Sequence, residues 1–222
     1  DTMSVNGVPV MEFVSHYYPN VLDAMRNRWI SPYIVSTNRL DASGYDALKD
    51  LGRKVITTMG LGTTATHMEW FYGPKGLKFS EIGCRPPGVR AWDLYNVGND
   101  MDLYREWALT ICGVRSGQKP SRRFATGMVA LRPSQDGRIT GYDGADQIGR
   151  AFGPYLMDWY LAATGLTAAS GSLSSSRPLA DTTFPSKVIE FAASGLLVLS
   201  TDISDVRRLL GDGARYLDRN DP

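Results

Sequence analysis

The feature that most constrains this chain is a pair of β-forming segments joined by a tight, glycine-bounded turn. His67 to Tyr72 and Leu77 to Ile82 are rich in strand formers, and Gly73-Pro74-Lys75-Gly76 lies between them. Turn chemistry of this kind between apolar runs predicts a β-hairpin. Strand side chains alternate faces. His67, Glu69 and Phe71 are thus expected on one face of the first strand, and Phe79, Glu81 and Gly83 on one face of the second. A five-residue loop from Gly73 to Leu77 sets Glu69 directly opposite Glu81, with Cβ atoms about 4.5–5.5 Å apart.

Two carboxylates at that separation repel, and either of two arrangements relieves them. One carboxyl holds its proton through a raised pKa, or a divalent cation sits between the pair. Hard oxygen donors suit magnesium or manganese better than zinc. Magnesium commonly takes one or two carboxylates and fills its shell with water and substrate phosphates. The plainer alternative is a solvated pair on an exposed hairpin. Arg85 follows within the Cys84 to Arg90 loop and offers a planar fork suited to phosphate or carboxylate. Arg90 is a second candidate of that kind. His67, on the face of Glu69, is placed to orient that carboxylate or to touch substrate. Cys84 has no evident base beside it and reads as a packed small residue.

The rest of the chain alternates helix and strand signals. Val8 to Tyr17 follows an Asn6-Gly7 turn signal and reads as the second arm of a hairpin. Asn20 to Arg28, Tyr45 to Thr58 and Asp102 to Cys112 read as helices, the last with Leu103, Trp107, Ala108 and Ile111 on one face. Thr126 to Leu131 and Gly137 to Tyr142 read as strands. Gly60-Leu61-Gly62 lacks the lysine and hydroxyl residue of a phosphate loop and reads as a turn. Thr164 to Ser176 is small and polar, as in a linker or an exposed strand. Beyond it, a helix over Pro185 to Ala193, an apolar strand over Leu196 to Ser200, a helix over Asp205 to Leu210 and a short strand over Ala214 to Leu217 form an αβ pattern.

The hairpin, with the run Glu81-Ile82-Gly83-Cys84-Arg85-Pro86-Pro87-Gly88, resembles the metal-ligand strands of the ATP-grasp superfamily, carboxylate–amine ligase branch. The resemblance extends along most of residues 1 to 160, Asp1-Thr2 and Trp107 included. It implies that Glu69 and Glu81, twelve residues apart, bind magnesium beneath ATP. It also implies that Arg85 holds the γ-phosphate or the substrate carboxylate and stabilises the acyl phosphate, with His67 beside them. Many members carry a metal-binding asparagine two residues after the second glutamate. That position here is Gly83, which leaves the metal count open. The implied cofactors are ATP and Mg2+, with Mn2+ as a substitute, and the implied substrates are a small-molecule carboxylate and an amine. The glycine-rich lid and the lysines that grip ATP in this superfamily have no counterpart in the chain.

The tail, Phe184-Pro185-Ser186-Lys187-Val188-Ile189-Glu190-Phe191-Ala192-Ala193-Ser194-Gly195 with Val198 and Thr201-Asp202, resembles the nucleotide-sugar end of a two-Rossmann-domain (GT-B) glycosyltransferase. That implies a diphosphate at the backbone of Ser186 and Lys187, where a helix N-terminus favours anions, and a ribose at Glu190. Many members carry another glutamate where Thr182 stands here. The expected fold is therefore α/β. Residues 1–162 form an ATP-grasp catalytic subdomain of mostly antiparallel sheet with flanking helices, and residues 163–222 a partial Rossmann-like βαβ segment.

Composition narrows the function classes. A net charge of +1 gives no global field for nucleic acid or a membrane surface, and no run of about 18 apolar residues is present to span a bilayer. Two cysteines, Cys84 and Cys112, do not make a disulfide framework, so a cytoplasmic setting is expected. The chain opens on Asp1-Thr2-Met3 and closes on Asn220-Asp221-Pro222, ends that read as cut. An ADP-forming ligase fragment, inactive by itself, is the expectation; a glycosyltransferase or a non-catalytic remnant is the alternative.

Overall fold

A computed structural model of the chain describes residues 1–27, 29–114, 117–133, 135–168, 198–201 and 214–217. The elements in chain order are β1 (Thr2–Val5), β2 (Val8–Glu12), β3 (Ser15–Tyr18), α1 (Val21–Arg26), β4 (Tyr33–Ser36), α2 (Asp46–Thr58), β5 (Thr64–Gly73) and β6 (Gly76–Gly83). They continue with α3 (Ala91–Asn99), α4 (Leu103–Ile111), β7 (Thr126–Val129), β8 (Gly137–Arg138), α5 (Ala145–Phe152), β9 (Thr167–Ala168), β10 (Val198–Thr201) and β11 (Ala214–Leu217). The fold is mixed α/β with antiparallel sheets and helices. No helix among the described residues is long and apolar enough to cross a membrane.

The chain divides into two compact units, one including Asp1–His16 and Val35–Gly127, the other including Tyr17–Ile34 and residues 128–168. The first holds a four-stranded sheet of order β2-β1-β5-β6. The Asn6-Gly7 turn closes its first hairpin, and both residues adopt positive φ, 49° and 81°, as a two-residue turn between twisted strands requires. The expected single strand from Val8 to Tyr17 is in fact two, β2 and β3, in different sheets.

Alternation gives this sheet two working faces. Met3, Met11 and Ala65 share one of them, and α3 and α4 cover it with Trp92, Tyr95, Leu103, Tyr104 and Trp107 to form the core. The helical stripe read from Leu103, Trp107, Ala108 and Ile111 packs there as the periodicity predicts. On the other face, Met68 and Trp70 approach Gly52 of α2. Arg53 on the same helix grips Glu12 of β2 with two hydrogen bonds, 3.2 and 2.8 Å.

Helix α2 ends in a Schellman arrangement. Leu61 N donates to Ile56 O and Gly60 N to Thr57 O, both at 3.1 Å, with Gly60 at φ +64°. Only a residue without Cβ takes that conformation readily, so Gly60-Leu61-Gly62 is a helix stop. Helices α1 and α4 begin at side-chain caps, Asn20 accepting from Asp23 N and Asp102 from Arg105 N, each at 3.0 Å. In the second unit, β8 pairs with β9 and α5 leaves Ile148 and Phe152 exposed. The strands β10 and β11 pair in parallel. The helices expected over Pro185–Ala193 and Asp205–Leu210 lie outside the described residues.

Gly98 on α3 is a close-approach position. A Cβ there would stand 2.7 Å from the Phe124 carbonyl oxygen, and Phe124 N donates back to Gly98 O at 3.0 Å. Gly98→Ala is therefore expected to destabilise the protein by about 1–3 kcal/mol through overpacking, against a gain of at most about 1 kcal/mol in helix propensity. A lowered urea midpoint with an unchanged slope is the expected reading, and a raised midpoint would mean the 124–126 segment gives way freely.

Candidate functional site

The β5–β6 hairpin positions the site. Its register pairs His67 with Gly83 and Glu69 with Glu81, so the two carboxylates stand directly opposed. The route to that pairing differs from the five-residue loop read from sequence. Gly73 pairs with Gly76 across the two-residue turn Pro74-Lys75, and a bulge between Glu69 and Trp70 then shifts the ladder by one. The two-residue turn takes Phe79 off the face expected for it, pairing it with Trp70. Their ring centroids are 5.2 Å apart, while Glu81 returns to the face of Glu69.

His67 and Glu69 continue the face that begins with Ala65, so they emerge beside the core covered by α3. The β1–β5 ladder pairs Thr2 with Thr66, and one step further along it Asp1 lies across from His67. Asp1 Oδ1 meets His67 Nδ1 at 2.8 Å. Its Oδ2 accepts from the Tyr95 hydroxyl at 2.5 Å, which also lies 3.1 Å from Ser15 Oγ. His67 Nε2 is 3.6 Å from Glu69 Oε1, an ion pair only when the ring is charged. Burial is the largest influence on that ring and lowers its pKa. The amino group of Asp1 and the Arg85 guanidinium act the same way, against Glu69 and Glu81.

Arg85 is exposed and folds back over the strand end. A Cβ on Gly83 would lie 3.6 Å from both Arg85 Cγ and Nε, an ordinary contact distance, so the stem of Arg85 lies over that position. Its Nη1 donates to Pro86 O at 2.8 Å. Arg90, the second candidate, is held by Asp93, Nε to Oδ2 at 2.6 Å, and starts α3 at φ 58°. Cys84 is exposed, not packed.

Sequence reasoning brings His67, Glu69, Glu81 and Arg85 to one end of one sheet, and the structure places all four there. It misses Tyr95 and the part played by Asp1. Ala91, Trp92, Tyr95, Gly98 and Asn99, the buried residues of α3, recur at helical spacing, a signal from which that helix, absent from the sequence reading, could have been found. Ser186, Lys187 and Glu190 lie outside the described residues. No cluster of three or more His, Cys, Asp or Glu suited to a metal occurs among the described residues.

The lowered pKa of His67 has a stability consequence. Between its folded value and the ordinary 6.5, the unfolded chain binds the proton and the folded chain does not, so stability rises with pH through that window. Unfolding free energy is expected to fall as pH drops below about 6.5, and His67→Gln is expected to flatten that part of the profile in denaturant melts at pH 5, 6, 7 and 8. An unchanged slope in the variant would assign the loss to other groups. Compared with known proteins, the chain is matched by no family model and by no curated sequence.

Proposed function

We propose that this chain carries the metal-holding, phosphoryl-transfer part of an ATP-dependent ligase that joins a carboxylate to an amine. In that reaction ATP phosphorylates the carboxylate, giving an acyl phosphate and ADP, and the amine then displaces phosphate. The observation that carries this reading is the opposition of Glu69 and Glu81 on the face that also bears His67. Two opposed carboxylates are a hard-oxygen donor set, which fits magnesium or manganese. A magnesium site needs no third protein carboxylate, since water and phosphate complete it. Glu69 and Glu81 would hold the ion, which when bound neutralises charge on the transferring group.

The remaining roles belong to the side chains around that pair. Arg85 uses one of its five N–H groups on Pro86 O. Its fork is left to meet a phosphate or carboxylate in front of Glu81. His67 flanks Glu69 on the side of β1 and limits where that carboxylate swings.

A second reading has one observation in its favour. β10 and β11 pair in parallel, Val198 with Ala214 through Thr201 with Leu217, and a parallel pair needs a crossover of about a dozen residues. Residues 202–213 supply that length. The arrangement supports a Rossmann-like tail, in which Ser186, Lys187 and Glu190 would meet a nucleotide sugar.

A Mn2+ titration of the full chain followed by electron paramagnetic resonance separates these readings. Mn2+ binding that weakens at least tenfold in the Glu69→Gln, Glu81→Gln double variant is expected for the ligase. In an active enzyme built on this segment, the same variant is expected to lose nearly all ADP release. Mn2+ binding that survives both substitutions would remove the metal assignment and leave the hairpin as scaffold. Binding of a nucleotide diphosphate sugar that ignores both substitutions would favour the tail.

A further inference from the structure

A chain of hydrogen bonds runs behind Glu69 from the core to the imidazole of His67. Tyr95 is fully buried, and its ring stacks on Phe13 at 4.7 Å. Asp1 is tied to Phe13 through both backbone groups, its nitrogen donating to Phe13 O at 3.0 Å and its carbonyl accepting from Phe13 N at 2.9 Å. The Asp1 side chain is 6% exposed. Both of its oxygens are engaged, one by Tyr95 and one by His67.

An ionised carboxylate only accepts hydrogen bonds. The imidazole nitrogen that faces Asp1 must therefore carry hydrogen, and in a neutral ring the other nitrogen then has none. That other nitrogen, Nε2, stands 3.6 Å from Glu69 Oε1, beyond hydrogen-bond length. Two acceptors then lie side by side, which suits a cation or a water bound to one on the ligand side.

We infer that Asp1 and Tyr95 are positioning residues: they lock His67 in the Nδ1–H form, so that an unprotonated Nε2 is presented beside Glu69 at the Glu69–Glu81 pair. The inference rests on the reading of that pair as the metal-holding site. Ser15 backs the Tyr95 hydroxyl at 3.1 Å and completes the chain. Asp1 and Tyr95 act through His67 and need touch no ligand. Outer partners of this kind commonly alter metal affinity or activity by about 10–100-fold when removed.

The experiment has two arms on the full chain. In the first, 15N-histidine labelling at pH 8 reports which ring nitrogen carries hydrogen. The chain has two histidines, and His67→Gln assigns the signal. The expected result is Nδ1–H in the wild type, loss of that preference in Asp1→Ala and partial loss in Tyr95→Phe. The second variant keeps the ring stacked on Phe13 and serves should Asp1→Ala fail to fold. A wild-type ring protonated on Nε2, or one unaffected by either variant, would overturn the inference. In the second arm, Mn2+ alone is titrated into the same variants, with about a tenfold rise in dissociation constant expected for Asp1→Ala. Wild-type affinity in both variants would also overturn it. Absence of Mn2+ binding in every form would sink the metal reading instead, and the nitrogen signals would still decide the role of Asp1 and Tyr95.

Discussion

Two like charges held directly across one antiparallel pair are the constraint around which this part of the molecule is arranged. Like charges directly opposite each other destabilise a sheet, by an amount on the order of the roughly 0.2–1 kcal/mol that a favourable pair contributes. The hairpin would avoid that cost by a slip of one residue, which would turn one carboxylate to the other face. The bulge between Glu69 and Trp70 does the reverse. It takes the register set by the Pro74-Lys75 turn and shifts it so that Glu81 meets Glu69. On the turn side of the bulge the register set by Pro74-Lys75 pairs Trp70 with Phe79, and their rings meet 5.2 Å apart on the far face.

Much of this site is legible in the sequence, and the part that is not has a physical cause. Residue types and alternation identify His67, Glu69, Glu81 and Arg85, because a hairpin with a strong turn signal is a local object. The pairing of Glu69 with Glu81 follows from a five-residue loop in the sequence reading and from a tight turn plus a bulge in the structure. Both routes add one residue to the same strand, so they agree at the glutamates and disagree at Phe79. A bulge leaves little trace in composition. Asp1 and Tyr95 are harder to foresee, because they lie 66 and 94 positions from their partners. Only the packing of α3 on the sheet brings them together. The mixed α/β class, the α2 stop at Gly60 and the α4 stripe were all readable, since each depends on neighbours within a turn or two.

The two faces of the four-stranded sheet divide the labour. On the α2 face, Glu12 is bound by Arg53 in a two-pronged pair, and that carboxylate is committed to holding helix to sheet. On the α3 face, Asp1 is equally committed, to Tyr95 and His67. Glu69 and Glu81 differ from both. Glu69 has His67 Nε2 at 3.6 Å, too far for a hydrogen bond, and Glu81 is exposed at the sheet edge. Charge that is already paired serves structure. Charge that is held in place and not yet paired is what a ligand can use.

Gly83 and Arg85 extend this argument to the rim. The stem of Arg85 lies over Gly83, and its guanidinium stands close enough to His67 to disfavour the charged ring. The rim thus holds one positive group, Arg85, beside the two opposed negative ones, Glu69 and Glu81. Binding a cation between the carboxylates relieves their repulsion, and any ligand that binds only the folded state stabilises it in proportion to its occupancy. On the proposed reading, the repulsion that the bulge's register builds into the hairpin is what a cation bound there would relieve.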